Sequence, residues 1–226
     1  MARLPFNMAS DAPASASLVV ARMTTSSALP ESLTLGILAG GRGARLGGVD
    51  KAWLERDGVP QVVRLASRFG PQAGAVLVSA NRGRLRYGRA GLAVVVDREP
   101  DLGPIGGLDA LADACATPWL LTLPVDLVDA NDCLLPSLAA AGGQGAGGRG
   151  AYAEDEEGPQ PLVALWPVAP LRIALREAIA AGEFAVQALQ RRLGMARVHL
   201  SGVRFGNLNT PADLEAAGIV LPGPLS

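Results

Sequence analysis

The chain contains one histidine, His199, and two cysteines, Cys115 and Cys133, among 226 residues. A single imidazole excludes His-rich metal centres and argues against a Ser-His-Asp triad; His199 falls in Ala196 to Leu200, which reads as a strand, and is taken as structural. The cysteines lack metal-ligand spacing and are expected to be ordinary reduced thiols of a cytosolic protein. Charge of either sign is also lacking in excess. A formal net charge of -1 and a pI near 5.9 leave no basic footprint, so a general role at nucleic acid or at a membrane surface is not expected. A run of about 18 apolar residues, the minimum for a membrane-spanning helix, is absent. Leu18-Val-Val-Ala21 is too short for the apolar region of a secretory signal. Residues 1–32 are rich in Ala, Ser, Pro and Met without periodicity, and Met8 and Met23 are alternative starts. They are expected to be a disordered tail or an over-extended reading frame, outside the fold.

An apolar content of 49% is ample for one large core, and the length suits a single α/β domain. From residue 33 strands alternate with helices. Leu33 to Leu38 is an uncharged apolar run, as in a strand buried on both faces. A helix starting at Pro60 and running to Phe69 follows, then a strand over Ala75 to Ser79 and another over Leu92 to Val96. Pro104 to Ala114 reads as a helix and Trp119 to Leu123 as a buried strand. Beyond it lie a helix at Leu134 to Ala141, a low-complexity stretch from Gly142 to Gly150, and a hairpin of Ala151 to Asp155 with Pro161 to Trp166. The acidic turn of that hairpin, Glu154-Asp-Glu-Glu157, reads as solvated surface. Two amphipathic helices carry core stripes at Leu171, Leu175, Ala178 and Ile179, then at Val186, Leu189 and Leu193. Thr210 is placed to cap a final helix starting at Pro211, with Asp213 at its third position. This pattern predicts a single-domain, doubly wound, mainly parallel Rossmann-like sheet over residues 33–218, with 219–226 as a short tail.

The chemistry concentrates after the first strand. Five glycines occur between Gly40 and Gly48, with Arg42 and Arg45 among them and Lys51 just beyond. Glycines let several backbone N–H groups converge on an anion, and the cations add charge, so the segment reads as a phosphate cradle. It is not a P-loop, because Lys51 follows Asp50 and precedes Ala52; nor is it Gly-x-Gly-x-x-Gly, because the glycine after Gly43 comes at 47. In a doubly wound sheet, ligands bind beyond the C-terminal strand ends, where this loop, Asn81, Asp97 and Asp126 all fall. Asp126 is the natural Mg²⁺ ligand, its alternative being a helix N-cap. Asp97 has the same placement, with turn stabilisation as its alternative. Lys51 would meet phosphate as a point charge and Arg45 as a planar fork. No Cys, Ser or His is placed as a covalent nucleophile, so direct phosphoryl or nucleotidyl transfer suits the site.

Leu38-Ala-Gly-Gly-Arg-Gly-Ala-Arg-Leu-Gly-Gly-Val-Asp-Lys51 resembles the signature of the molybdenum cofactor guanylyltransferases, the MobA-type nucleotidyltransferases. Gly103-Pro-Ile-Gly-Gly-Leu108, Pro124-Val-Asp126, Pro161-Leu-Val-Ala-Leu165 and Asn207-Leu-Asn-Thr-Pro-Ala-Asp-Leu214 follow in family order. The resemblance implies a nucleotidyltransferase that joins GMP from Mg-GTP to molybdopterin or Mo-molybdopterin and releases pyrophosphate. It implies that Leu38, Ala39 and Gly40 contact the nucleotide, with Gly41 and the following glycines near its phosphates. Lys51 would bind phosphate, Asn81 and Asp97 the nucleotide, and Asp126 both nucleotide and Mg²⁺; Lys51, Arg45 and Asp126 would carry catalysis. Asn207 and Asn209 would lie on the acceptor side. A cytoplasmic enzyme is implied, with molybdopterin-transfer proteins and molybdoenzymes as possible partners and neither nucleic acid nor membrane. Two departures stand out. Leu46 replaces the usual Met, and Val128 replaces the second Pro of Pro-x-Asp-x-Pro, which is expected to loosen the loop after Asp126. A CTP-dependent or sugar-phosphate transferase is an alternative, as is a non-catalytic nucleotide-binding partner of molybdoenzymes. The Leu-Ala-Gly-Gly form favours GTP, and the joint presence of Lys51, Asp97 and Asp126 favours catalysis.

Overall fold

The structure, a computed structural model, describes residues 29–40, 49–99, 101–143 and 147–219. The expected tail through residue 28 and the centre of the glycine loop, 41–48, therefore lie outside the described residues, as do 220–226. A helical turn, α1 (Leu29–Ser32), leads into β1 (Leu33–Leu38). A 3-10 turn at Lys51–Trp53 and a small hairpin of β2 (Glu55–Arg56) and β3 (Val59–Pro60) precede α2 (Gln61–Phe69). Pro60, expected inside the helix, instead sits just before it, its fixed φ ending the hairpin. Then come β4 (Ala75–Ser79), α3 (Arg84–Arg89), β5 (Ala93–Val95), α4 (Pro104–Ala114) and β6 (Trp119–Pro124). The second half comprises β7 (Leu127–Val128), α5 (Leu134–Gly142), β8 (Ala151–Asp155), β9 (Gly158–Pro167), α6 (Val168–Ala180) and α7 (Val186–Leu193). The described chain finishes with β10 (Ala196–His199), β11 (Gly206–Asn207) and α8 (Pro211–Ala216). No described helix is long and apolar enough to cross a membrane.

Seven strands form the central sheet in the order β10-β8-β9-β6-β1-β4-β5. The four from β6 to β5 are parallel, and β10 is parallel to β8; only β9 runs antiparallel to both its neighbours. All six residues of β1 are buried, because helices cover both faces. Alternation of side chains sends Leu33, Leu35 and Ile37 toward α2 and α5, where they pack with Val62, Leu65, Phe69, Leu135 and Leu138. The opposite face, with Leu120, Ala164 and Trp166, packs against Ile105, Leu108 and Leu111 of α4 and Leu171 and Leu175 of α6. Gly36 on that face leaves room for Leu111 and Leu120; a Cβ there would lie 2.9 Å from a methyl of each. The helical stripes expected as core are core, with Ile179 and Leu193 at its partly exposed margin.

Thr122 and Arg172 both find partners on this face. Thr122 donates to the Leu162 carbonyl at 2.8 Å and accepts from Trp166 Nε1 at 2.8 Å. Arg172 of α6 donates to the carbonyls of Ala112, Asp113 and Cys115, closing the C-terminal end of α4 whose own ladder has run out.

One expectation fails in the hairpin. Asp155, read as solvated surface with its acidic neighbours, is only 2% exposed. Its carboxylate accepts from the backbone N–H of Phe205 at 2.8 Å and of Glu157 at 3.0 Å, and from Gln160 Nε2 at 3.2 Å. Burial alone would raise its pKa; hydrogen bonds from Phe205, Gln160, Glu157 and Gly158 outweigh it and hold the group below the ordinary carboxylate range. The buried charge thus anchors the chain's return toward β11. Its stabilisation is fully present above the unfolded pKa of about 3.9 and is lost as pH falls through the lower folded value. Asp155→Asn should lose about 1.5–3 kcal/mol in urea unfolding at pH 7 and flatten the acid limb of stability below about pH 4. Equal stability of both proteins at pH 7 would contradict the anchoring.

Candidate active site

Parallel pairing brings the sequence-distant strand ends to one rim. Leu38 stands opposite both Ser79 and Pro124, and Ser79 opposite Val95. The ladder continues past the strands: Ala39 N–H donates to Ser79 O at 2.9 Å, Ala80 N–H to Val95 O at 3.0 Å and Val125 N–H to Leu38 O at 3.0 Å. A cavity of about 720 Å³ opens above this rim. Its lining includes Leu38, Ala39 and Gly40, then Asn81, Asp97 and Asp126, so six of the expected site residues share one space. Gly41 and Arg45, like Arg42, lie outside the described residues.

Lys51 is delivered by local geometry. Asp50 Oδ1 accepts from Ala52 N–H at 3.1 Å and caps the 3-10 turn that starts at Lys51. Leu54, at the end of the turn, is buried, and its carbonyl accepts from Gln61 N–H at 2.9 Å. The buried Gln61 side chain in turn donates to Leu127 O at 2.7 Å, pinning the segment just after Asp126. Between these fixed pieces Lys51 Nζ donates to Asp126 Oδ2 at 2.9 Å, with side chains 21% and 23% exposed. The same Nζ donates to Asn209 Oδ1 at 2.6 Å.

Asn81 and Asp97 form an interlocked pair. Asn81 Nδ2 donates to Asp97 Oδ2 at 2.8 Å, Asp97 N–H donates to Asn81 Oδ1 at 3.0 Å, and Ser79 Oγ donates to Asp97 Oδ1 at 3.3 Å. Ser79 was not anticipated from sequence, although its place at the strand end beside Asn81 was the available signal. The glycines of α4 explain how closely the helix approaches. A Cβ at Gly107 would lie 2.8 Å from Ser79 Oγ and 3.0 Å from Leu38 Cδ2, and one at Gly106 would lie 3.2 Å from Asp97 Oδ2. Two helix-disfavouring glycines in a first turn therefore mark close packing, and Gly103, Pro104 and Gly107 line the cavity with the positive end of the helix dipole. Tyr87, also lining the cavity, is buried; desolvation first and then the Asp50 charge push its phenol above the ordinary range, so it stays protonated.

Asn207 takes another position. It lies in β11, paired antiparallel with Leu127 of β7, and does not line the cavity. That pairing also corrects the expectation for Val128, whose segment is not loosened. Val128 is 7% exposed and stands opposite Gly206, where any side chain would run into Val128 Cγ2. Valine has the N–H that proline lacks, so a strand replaces the rigid turn.

The donor set is one of hard oxygens and cations. Mg²⁺ is typically held by one or two carboxylates with phosphate oxygens and water completing its shell. Asp126 fits: a partly exposed carboxylate at a strand end, open to the cavity. Among the described residues no group of three or more His, Cys, Asp or Glu could hold a metal without help from a ligand.

Comparison with known proteins shows the family. Molybdenum cofactor guanylyltransferase of Serratia proteamaculans is 37% identical over 186 residues, covering 81% of this chain and 92% of the relative. The protein of the same name from Cereibacter sphaeroides is 40% identical, covering 82% and 95%. Among solved structures, molybdopterin-guanine dinucleotide biosynthesis protein A of Archaeoglobus fulgidus superposes with a TM-score of 0.62 at 19% identity, covering 82% of this chain and 96% of that one. The model of the MobA-like NTP transferase domain matches residues 35–197, and the chain belongs to that family.

Proposed function

We propose that this chain transfers GMP from Mg-GTP to molybdopterin, or Mo-molybdopterin, forming the guanine dinucleotide cofactor and releasing pyrophosphate. The observation that carries the reading is the Lys51–Asp126 pair at the rim of a nucleotide-sized cavity, in a chain whose relatives are named for this activity. A terminal phosphate of the acceptor attacks the α-phosphorus of GTP in line, and the bond to the β-phosphate oxygen breaks. No protein nucleophile is needed, so the protein's part is to position and to stabilise charge.

The residues divide that work. Leu38, Ala39 and Gly40 hold the nucleotide against the end of β1, and Gly41 and Arg45 belong with its phosphates. Asn81 and Asp97 form the wall that meets base and ribose. Lys51 holds phosphate as a compact charge. Asp126 would hold Mg²⁺, which when bound neutralises phosphate charge and polarises the α-phosphorus. Asn207 and Asn209 belong to the acceptor side, and the bond from Lys51 to Asn209 carries that segment to the phosphate end of the cavity. The reaction occupies residues 33–218 and, on this reading, takes place in the cytoplasm, where the product passes to molybdoenzymes.

A pyrophosphate-release assay with molybdopterin and each NTP tests the activity: release with GTP and Mg²⁺ is the expected result. Release with CTP alone would make this a cytidylyltransferase, and no release with any NTP would leave only a nucleotide-binding partner. Asp126→Ala should keep its fold by circular dichroism and lose Mg²⁺-dependent turnover by about 100-fold or more; wild-type turnover in that variant would remove Asp126 from the metal. Lys51→Ala should raise the KM for GTP and lower kcat, each by about tenfold or more, in steady-state kinetics. Parameters unchanged from wild type would return Lys51 to a purely structural ion pair.

A further inference from the structure

Lys51 is the only lysine in the chain; every other strongly basic side chain is arginine. An ammonium has three N–H donors spread about one atom, whereas a guanidinium presents a planar fork. Among the described residues, two of the three Lys51 donors are taken, by Asp126 Oδ2 at 2.9 Å and Asn209 Oδ1 at 2.6 Å. The atom of Asn209 that faces Nζ is its oxygen, because lysine can only donate. The backbone that carries that oxygen is held in place. Asn209 N–H and Thr210 N–H both donate to Asp213 Oδ2, at 3.0 and 2.7 Å, and Asp213 N–H donates to Thr210 Oγ1 at 3.2 Å, which is the capping box of α8. Next to it Leu208 is fully buried in one small cluster with Leu54, Val128 and Leu214. The segment that carries Asn209 is therefore packed against the turn that carries Lys51.

We infer that Asn209 is a positioning residue: its side-chain oxygen, carried on backbone that the α8 capping box fixes, holds the Lys51 ammonium beside Asp126 so that the third N–H stays available to a substrate phosphate. A neutral amide does this without adding a negative charge where a triphosphate must approach. The inference rests on the proposed reaction only for what the third donor meets. An arginine at position 51 would present its five donors in one plane and could not divide them between two acceptors and a phosphate in this way.

The single lysine makes the test direct. In protein grown with ¹³C-lysine, one Cε methylene reports on Lys51. Its two protons are inequivalent when the ammonium is held and merge when the chain rotates freely. In Asn209→Ala they should merge, and kcat/KM for GTP should fall by about 100-fold, the scale of a misplaced catalytic group. Asn209→Asp, which keeps an acceptor oxygen, should keep the methylene split. A merely structural Asn209 would lower the Tm of the alanine variant and leave the methylene split, and that result overturns the proposal. So does wild-type kcat/KM in Asn209→Ala. If the wild-type protein turns over no NTP, the proposed reaction fails, while the methylene, read on the free protein, still decides the role of Asn209.

Discussion

The site depends on one cation. Lys51 joins segments that lie 75 and 158 residues away from it in the sequence, one at the end of β6 and the other at the start of α8. Its partner Asp126 lines the cavity together with Asp50, Asp97 and Asp101. As a stability device a partly exposed ion pair contributes little, about 1 kcal/mol or less. Its value is in orienting Asp126 where that carboxylate lines the cavity.

The sheet makes that arrangement possible. Because β5, β4, β1 and β6 are parallel and in register, their four exits fall side by side, and those of β4, β5 and β6 carry Asn81, Asp97 and Asp126. The antiparallel β9 breaks the pattern to a purpose. It presents Leu162, from its interior, beside the rim and uses the rest of its length to pair β8. That hairpin holds Asp155, whose bond to Phe205 N–H sets where the chain turns back toward β11 and Asn209. A buried carboxylate of the hairpin thus helps to set the course of the segment whose Asn209 meets Lys51.

Much of this was legible in the sequence for a simple reason. Apolar runs such as Leu33 to Leu38, bounded by glycine and polar residues, report two-sided burial directly, and topology then implies that Asn81, Asp97 and Asp126 converge. The misses share a different cause. Asp155 looked like solvent because charge density is local information, whereas one of its donors is Phe205 N–H, 50 residues on. Val128 looked like a loosened loop because its partner, Gly206, is equally remote. Capping accounted for Thr210 and Asp213 from local spacing alone, but no local signal tells that Asn209 faces Lys51. Sequence reading resolved what each strand end offers and missed which long-range contacts hold those offers in place.

The glycines of α4 show how stability and reactivity are balanced at the rim. Gly106 and Gly107, in the first turn of α4, each cost helix propensity relative to alanine, up to about 1 kcal/mol. In exchange the first turn comes within van der Waals reach of Ser79, Leu38 and Asp97. The helix begins on Gly103, at φ 60° and ψ -142°, a conformation suited to glycine, and has no side chain to cap it. Pro104 brings no N–H to this end and Gly106 N–H donates to Gly103 O at 3.2 Å, where the helix borders the cavity beside Asp97. Alanines at 106 and 107 would strengthen the helix in isolation and push it away from the strand ends. The weaker helix is the one that brings its positive end up to the strand ends that line the cavity.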